Sequence, residues 1–224
     1  MQSRSLEVAA ACRVLIVDDH PVVRNGLRHA LEASGQVSVL AEAGDGEGGY
    51  QAYKEMGPDV VIMDLSMPGI GGLEAIRRIV RYDAKARILV FTVHANPLFE
   101  QRAREAGALA YLTKDGDVGE LLEALAVVAT GRPWFRRPRR GTGGKRGGNR
   151  QVAGEAERVS GLTLREFDVF RLLAEGRNTA EVAELLNISV NTVGVHKTRI
   201  MHKLRISNSA QLALVAVRQG IVKV

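Results

Sequence analysis

A single cysteine, Cys12, stands among the 224 residues. An intrachain disulfide and a cysteine-built zinc site are therefore excluded, which fits a reducing compartment. No apolar run approaches the roughly 20 residues that a spanning helix needs, so the expectation is a cytoplasmic protein with no membrane partner. After Arg4 the stretch LEVAAAC is short and carries Glu7, against a lipoprotein signal ending at Cys12. Acidic residues are missing altogether between Arg132 and Arg150, where 8 basic ones stand. Up to Gly131 the balance reverses, with 13 basic against 18 acidic residues, and from Gln151 onward 10 basic face 7 acidic. An acidic front, a basic hinge and a mildly basic tail direct any polyanion to the back half.

The front region alternates short apolar runs with helical periodicity. Strands are expected at 13–19, 37–43, 59–65, 87–93 and 108–114, and helical spacing fills the intervals, with a last helix from Val118 to Ala129. Such alternation implies an α/β domain, a (βα)5 doubly wound parallel sheet covered on both faces. Residues 132–160, rich in Gly, Arg and Pro, lack apolar periodicity and read as a flexible basic linker. As a coil of about 30 residues it would span roughly 30 Å. From 161 to 224 the pattern is wholly helical. Thr163 with Glu166, and Asn178 with Glu181, make capping boxes; Ser189 caps the next helix. Two capped helices around a tight turn form a helix-turn-helix in a separate all-α domain.

Ligands of open parallel sheets gather at the carboxyl ends of the strands. Here those ends carry Asp18 and Asp19 after the first strand, Asp64 after the third, Thr92 on the fourth and Lys114 after the fifth. Neighbouring strands are roughly 5 Å apart, so the groups can converge. Three carboxylates beside an ammonium make a hard, oxygen-rich cation site suited to Mg²⁺. That cation would also make the adjacent Asp18 and Asp19 tolerable. His20 and His94 flank the cleft and are read as hydrogen-bonded rather than metal-ligating.

The DD pair, the segment MDLSMPG around Asp64, Thr92 and the segment AYLTK together resemble the receiver domain of bacterial response regulators, over residues 12–131. The resemblance implies that Asp64 accepts a phosphoryl group from a phosphohistidine on a sensor histidine kinase. It also implies Mg²⁺ ligation by Asp18, largely through water, by Asp19 and Asp64, and by the backbone carbonyl of Ser66. Lys114 would contact the phosphoryl oxygens, Thr92 would hydrogen-bond the new group and Tyr111 would change its packing. An aspartate attacks an anionic phosphoryl group poorly unless positive charge screens the approach, and Mg²⁺ with Lys114 can supply it. Two departures from the pattern stand out. Gly71 replaces a residue that is often acidic, and Gly48 with Gly49 lies in the second helix, each glycine costing roughly 1 kcal/mol against alanine.

The segment from Leu162 to Val222 resembles the LuxR-type helix-turn-helix, and with the receiver it gives the NarL/FixJ arrangement. In the second motif helix Val193, His196, Ile200 and Leu204 share an inward face. The outward residues Asn191, Thr192, Val195, Lys197, Thr198, Arg199 and Lys203 are the candidate contacts to double-stranded DNA. Gly194, Val195 and Thr198 stand where the family meets base edges. Small apolar contacts and one hydroxyl would then read sequence, with phosphate contacts dominating affinity. The expected function is a phosphorylation-switched transcriptional regulator that forms homodimers when phosphorylated or DNA-bound, the last helix around Leu212 and Val215 providing the contact. RNA polymerase is a further partner class. The chain is read as a phosphoacceptor that catalyses only its own phosphoryl transfer and loss. Competing readings are a constitutive DNA binder with an unphosphorylated receiver and an aspartate-dependent phosphatase.

Overall fold

Two four-residue apolar runs, Val14–Val17 and Val60–Met63, are buried along their whole length. Continuous burial is what strands require when helices cover both faces of a parallel sheet. A computed structural model describes residues 11–135 and 150–222. Its contacts divide the chain into two compact units, Met1–Ala95 with Gly107–Phe135, and Asn96–Ala106 with Arg136–Val224. Most of the basic linker, 136–149, lies outside the described residues.

The first unit holds strands β1 (Cys12–Val17), β2 (Val37–Ala43), β3 (Val60–Met63), β4 (Ile88–Thr92) and β5 (Ala110–Thr113). All pairings are parallel, in the order β2-β1-β3-β4-β5. Helices α1 (Pro21–Glu32), α2 (Gly46–Met56), α3 (Gly71–Tyr82) and α5 (Val118–Val128) belong to the same unit. Alternate strand residues, Val14, Ile16, Ile62, Leu89 and Leu112 among them, cluster with Leu27 and Leu31 of α1 and with Leu121, Leu125 and Val128 of α5. The intervening residues point the other way, where Val17 meets α2.

The order reverses between β1 and β3, so the carboxyl ends of these strands flank the sheet's switch point, where open α/β sheets hold their ligands. Two of the glycines that depart from the family pattern, Gly49 and Gly71, have local structural reasons, and Gly72, next to Gly71, has another. A Cβ on Gly49 would sit 2.7 Å from Val17 Cγ1, so its absence lets α2 approach β1. Gly71 has φ +67°, a conformation that side chains other than glycine seldom adopt. A Cβ on Gly72 would lie 2.0 Å from the carbonyl oxygen of Asp64.

The second unit contains α4 (Pro97–Ala106), α6 (Arg150–Ser160), α7 (Leu164–Ala174), α8 (Thr179–Leu186), α9 (Val190–Leu204) and α10 (Ser209–Arg218). Both expected capping boxes form, Thr163 with Glu166 and Asn178 with Glu181, and Ser189 Oγ accepts from Thr192 N. Val193, Ile200 and Leu204 are buried together with Phe167 and Phe170 of α7 and Val182 of α8. Phe99 of α4 meets Phe167 edge-on at 5.8 Å.

Two expectations change here. Residues 150–160, read as the end of the linker, are helix α6. Its stability is tertiary: Val159 is fully buried, Glu155 pairs with Arg218 at 3.2 Å, and Arg102 donates to the terminal carbonyls of Val159 and Ser160. Leu212 and Val215, taken as a contact surface, are core residues, 1% and 5% exposed; Leu214 and Val217 are the outward apolar residues of α10, at 47% and 38%. Helical spacing shows that residues share a face, not which face is inward. Among the described residues no helix is long and apolar enough to cross a membrane.

Candidate functional site

The ends of β1, β3, β4 and β5 bring the predicted residues into one cleft. Lys114 Nζ lies 2.8 Å from Asp64 Oδ2 and 2.6 Å from Asp18 Oδ2. Both carboxylates are buried, at 1% and 2% exposure. Burial works against the Lys114 charge, but hydrogen bonds and attraction from Asp18 and Asp64 outweigh it and hold the ammonium pKa above the ordinary lysine value. The other Asp64 oxygen accepts from the backbone N–H of Leu65 at 2.6 Å and of Ser66 at 3.3 Å. Asp18 Oδ1 accepts from His20 N at 2.9 Å, closing the turn that leaves β1.

Two polar atoms in the cleft stand without a hydrogen-bond partner. They are Asp19 Oδ1 and Thr92 Oγ1, both buried. His20 Nδ1 is 2.7 Å from Asp19 Oδ1, yet the pair does not meet the geometry of a hydrogen bond. Oxygens of Asp18, Asp19 and Asp64, together with a ring nitrogen of His20, lie within 4.8 Å of one another. A buried carboxylate oxygen without a hydrogen bond, beside two carboxylates that share one lysine, fits a hard divalent cation such as Mg²⁺. His20 is 65% exposed and its imidazole is a poor ligand for that ion.

Tyr111 reaches the same rim from β5 and donates its hydroxyl to the carbonyl of His94 at 2.7 Å. His94 Nε2 is 2.5 Å from Ser66 Oγ, tying the loop after β4 to the loop after β3. Arg24 of α1 donates to the carbonyl of Asp18 at 2.5 Å. Neither the Ser66 to His94 link nor Arg24 emerged from the sequence, because each depends on a three-dimensional approach that no spacing rule encodes. The one available signal was the place of Arg24 in the first turn of the helix that follows the aspartates.

On α9, Asn191, Val195, Thr198 and Arg199 are exposed, with Val195 at 44%. Thr192 is tied to the cap through its hydroxyl, 2.8 Å from Ser189 Oγ. Thr198 donates its own hydroxyl to Gly194 O at 3.1 Å, so its outward chemistry is an acceptor and a methyl group. Lys203 turns back to Glu166 at 2.6 Å and to Gly161 O at 3.3 Å. Glu166 is opposed by its own burial, but Lys203 and Thr163 hold its pKa below the usual carboxylate range. His196 lies half-buried, its pKa lowered by desolvation and by Arg165 and Arg199, outweighing Glu166.

Comparison with known proteins agrees with both halves. Residues 14–126 match the response regulator receiver domain, and residues 160–216 match the bacterial regulatory proteins of the luxR family. The transcriptional regulatory protein LiaR of Bacillus subtilis is 37% identical over 211 residues, which cover 94% of this chain and 99% of LiaR. A solved LuxR-family two-component response regulator from Aurantimonas sp. SI85-9A1 is 44% identical, covering 58% of this chain and 91% of that one, with TM-score 0.55. RcsB from Salmonella enterica serovar Typhimurium, solved bound to promoter rprA with the phosphomimetic BeF3⁻, covers 92% of this chain and 98% of its own at 28% identity and TM-score 0.69. The chain belongs to the NarL/FixJ-type two-component response regulators, DNA-binding transcriptional regulators that join a receiver to a LuxR-type helix-turn-helix.

Proposed function

We propose that Asp64 is the phosphoacceptor of this regulator and that its phosphorylation by a sensor histidine kinase controls DNA binding through dimerisation. The observation that carries the reading is the cleft itself. Lys114 bridges Asp64 and Asp18, while Asp19 Oδ1 and Thr92 Oγ1 are buried without a hydrogen bond, Asp19 Oδ1 facing the exposed His20 ring at 2.7 Å. A phosphoryl group with its cation is the ligand that would satisfy both kinds of atom.

In this reading Asp18, Asp19, Asp64 and the Ser66 carbonyl hold Mg²⁺, which when bound supplies positive charge beside the transferring phosphoryl group. An Asp64 carboxylate oxygen attacks phosphorus as the bond to the donor's imidazole nitrogen breaks. Backbone N–H groups of Leu65 and Ser66 fix the other oxygen and thus the direction of attack. Lys114 stays bonded to the acidic cluster and neutralises the equatorial oxygens. Afterwards the hydroxyl of Thr92 finds its acceptor on the phosphoryl group. Movement of the β4 end acts on His94, whose carbonyl anchors Tyr111, so the rim has two bonding states.

The boundaries that serve this function are a receiver at 12–131, a tether at 132–160 whose last residues are α6, and a DNA-binding domain at 161–224. Base edges meet Asn191, Val195 and Thr198, and phosphates meet Lys197 and Arg199, with Lys203 acting through its bond to Glu166. Dimers form through the outward strip of α10, Leu214 and Val217. RcsB has been solved bound to a promoter and as two dimers on two parallel DNAs, which supports the same behaviour here. RNA polymerase is the further partner in this reading.

Mass spectrometry after incubation with Mg²⁺ and acetyl phosphate should show one added phosphoryl group, on the peptide containing Asp64. D64N should show none. Equal operator affinity of wild type and D64N, with and without phosphodonor, would instead favour the constitutive reading.

A further inference from the structure

The adjacent aspartates sit on a turn whose backbone must hold two like charges pointing into one cleft. The Asp18 carboxylate is restrained by Lys114 Nζ and by the backbone N–H of His20. Asp19 Oδ1 lies 2.7 Å from the ring of His20, a side chain that is 65% exposed, and gains no well-formed hydrogen bond from it. What fixes the peptide unit joining the two residues is Arg24, whose Nη1 donates to the carbonyl of Asp18 at 2.5 Å. Holding that carbonyl sets the plane of the 18–19 peptide and so the direction in which the Asp19 side chain leaves the backbone.

Arg24 is itself held. Its side chain is 18% exposed, and its Nε donates to Glu42 Oε2 on β2 at 3.3 Å. Glu42 uses its second oxygen for Arg28 at 2.5 Å, one turn further along α1. The hydrogen bond to Arg28, helped by Arg24 against a partial burial cost, keeps Glu42 ionised below the usual carboxylate range. The result is a brace from β2 through α1 to the acidic turn. A planar guanidinium spans two acceptors in fixed geometry, which an ammonium on a flexible stem does not reproduce.

We infer that Arg24 is a positioning residue for the divalent-cation site, acting through the Asp18 carbonyl to aim Asp19. The inference rests on the reading of Asp18, Asp19 and Asp64 as cation ligands. Two roles give opposite signs. If Arg24 mattered only as a nearby positive charge, its removal would tighten cation binding and lysine would replace it. If it positions the turn, both R24K and R24A weaken binding, by about tenfold, as loss of a residue supporting a metal ligand typically does.

The test is Mn²⁺ binding to the full chain by electron paramagnetic resonance, with Mg²⁺ as competitor and no phosphodonor present. Wild type, D19N, R24K, R24A and E42Q are compared, each with its metal-free melting temperature. Expected are loss of binding in D19N, about tenfold weaker binding in R24K and R24A, and a smaller loss in E42Q. Should R24A not fold, R24K and E42Q still decide. Wild-type affinity in R24K, or tighter binding in R24A, overturns the inference. Failure of wild type itself to bind would overturn the reading of the aspartates instead.

Discussion

Replacing Thr92 by valine tests the central claim, that the unphosphorylated cleft holds a buried hydroxyl waiting for an acceptor. Thr92 is fully buried and its Oγ1 has no hydrogen-bond partner. A buried polar group left unsatisfied costs about 1–3 kcal/mol. Valine keeps the branched shape favoured in a strand and removes the orphan, so T92V should stabilise the unphosphorylated protein by that amount. For a domain of roughly 100 residues, each kcal/mol raises the melting temperature by about 4–8 °C.

The same change should cripple the switch. A hydrogen bond from Thr92 to the charged phosphoryl oxygens is worth about 1.5–3 kcal/mol, so its loss lowers the active-to-inactive ratio of phosphorylated protein by roughly 10- to 150-fold. Calorimetry without phosphodonor reads the first effect; dimerisation by analytical ultracentrifugation after acetyl phosphate reads the second. A raised melting temperature with lost dimerisation is the expected pair. An unchanged or lowered melting temperature would show that the hydroxyl is already satisfied. Full dimerisation of T92V would show that the phosphoryl group never uses it.

G72A should destabilise the first unit by several kcal/mol, because its Cβ has no room against the Asp64 carbonyl at 2.0 Å; a denaturant midpoint close to wild type would refute this. K203M should destabilise the second unit by about 1–2 kcal/mol, less than a fully buried pair because Lys203 is 37% exposed, and should weaken DNA binding through unfolding without altering its salt slope. Glu166 has a depressed pKa in the folded state, so its contribution is complete above the ordinary value of 4.5 and is lost as pH falls below it towards the folded pKa; E166Q should flatten that acid limb in pH-dependent melts. R199A should lower the slope of log affinity against log salt by about one, as expected of one phosphate contact.

Strand positions were legible because a two-sided parallel sheet forces unbroken apolar runs, and Val60–Met63 with residues 88–91 are such runs. The capping boxes were equally legible, since Thr163 with Glu166 and Asn178 with Glu181 satisfy local backbone donors at a fixed spacing. Helix α6 was not, because Arg150–Ser160 is held by Val159 burial, Arg218 and Arg102, none of them near it in sequence. The inward turn of Leu212 and Val215 was hidden for a related reason. Alternation at helical spacing marks a stripe on α10, but neighbours decide whether Leu212 or Leu214 faces the core. In the cleft, residue types at strand ends predicted the convergence of Asp18, Asp64 and Lys114, while Arg24 and His94 needed the folded loops.

The adjacency of Asp18 and Asp19 now has an electrostatic account. Three carboxylates facing one ammonium carry a formal excess of two negative charges, concentrated where Asp18 and Asp64 are almost wholly buried. Lys114 engages Asp18 and Asp64, while Asp19 Oδ1 faces the exposed His20 ring at 2.7 Å and gains no well-formed hydrogen bond. One divalent cation would cancel the excess, and an arriving phosphoryl dianion would restore it unless Lys114 and Thr92 took up the new oxygens. Attraction for the cation and responsiveness to the anion therefore come from the same imbalance. A variant that relieved it permanently, such as D19N, should melt at a higher temperature without Mg²⁺ and lose the stabilisation that Mg²⁺ gives the wild type. Equal Mg²⁺ stabilisation of D19N and wild type, read by thermal melts across a magnesium titration, would show that the second aspartate has another purpose.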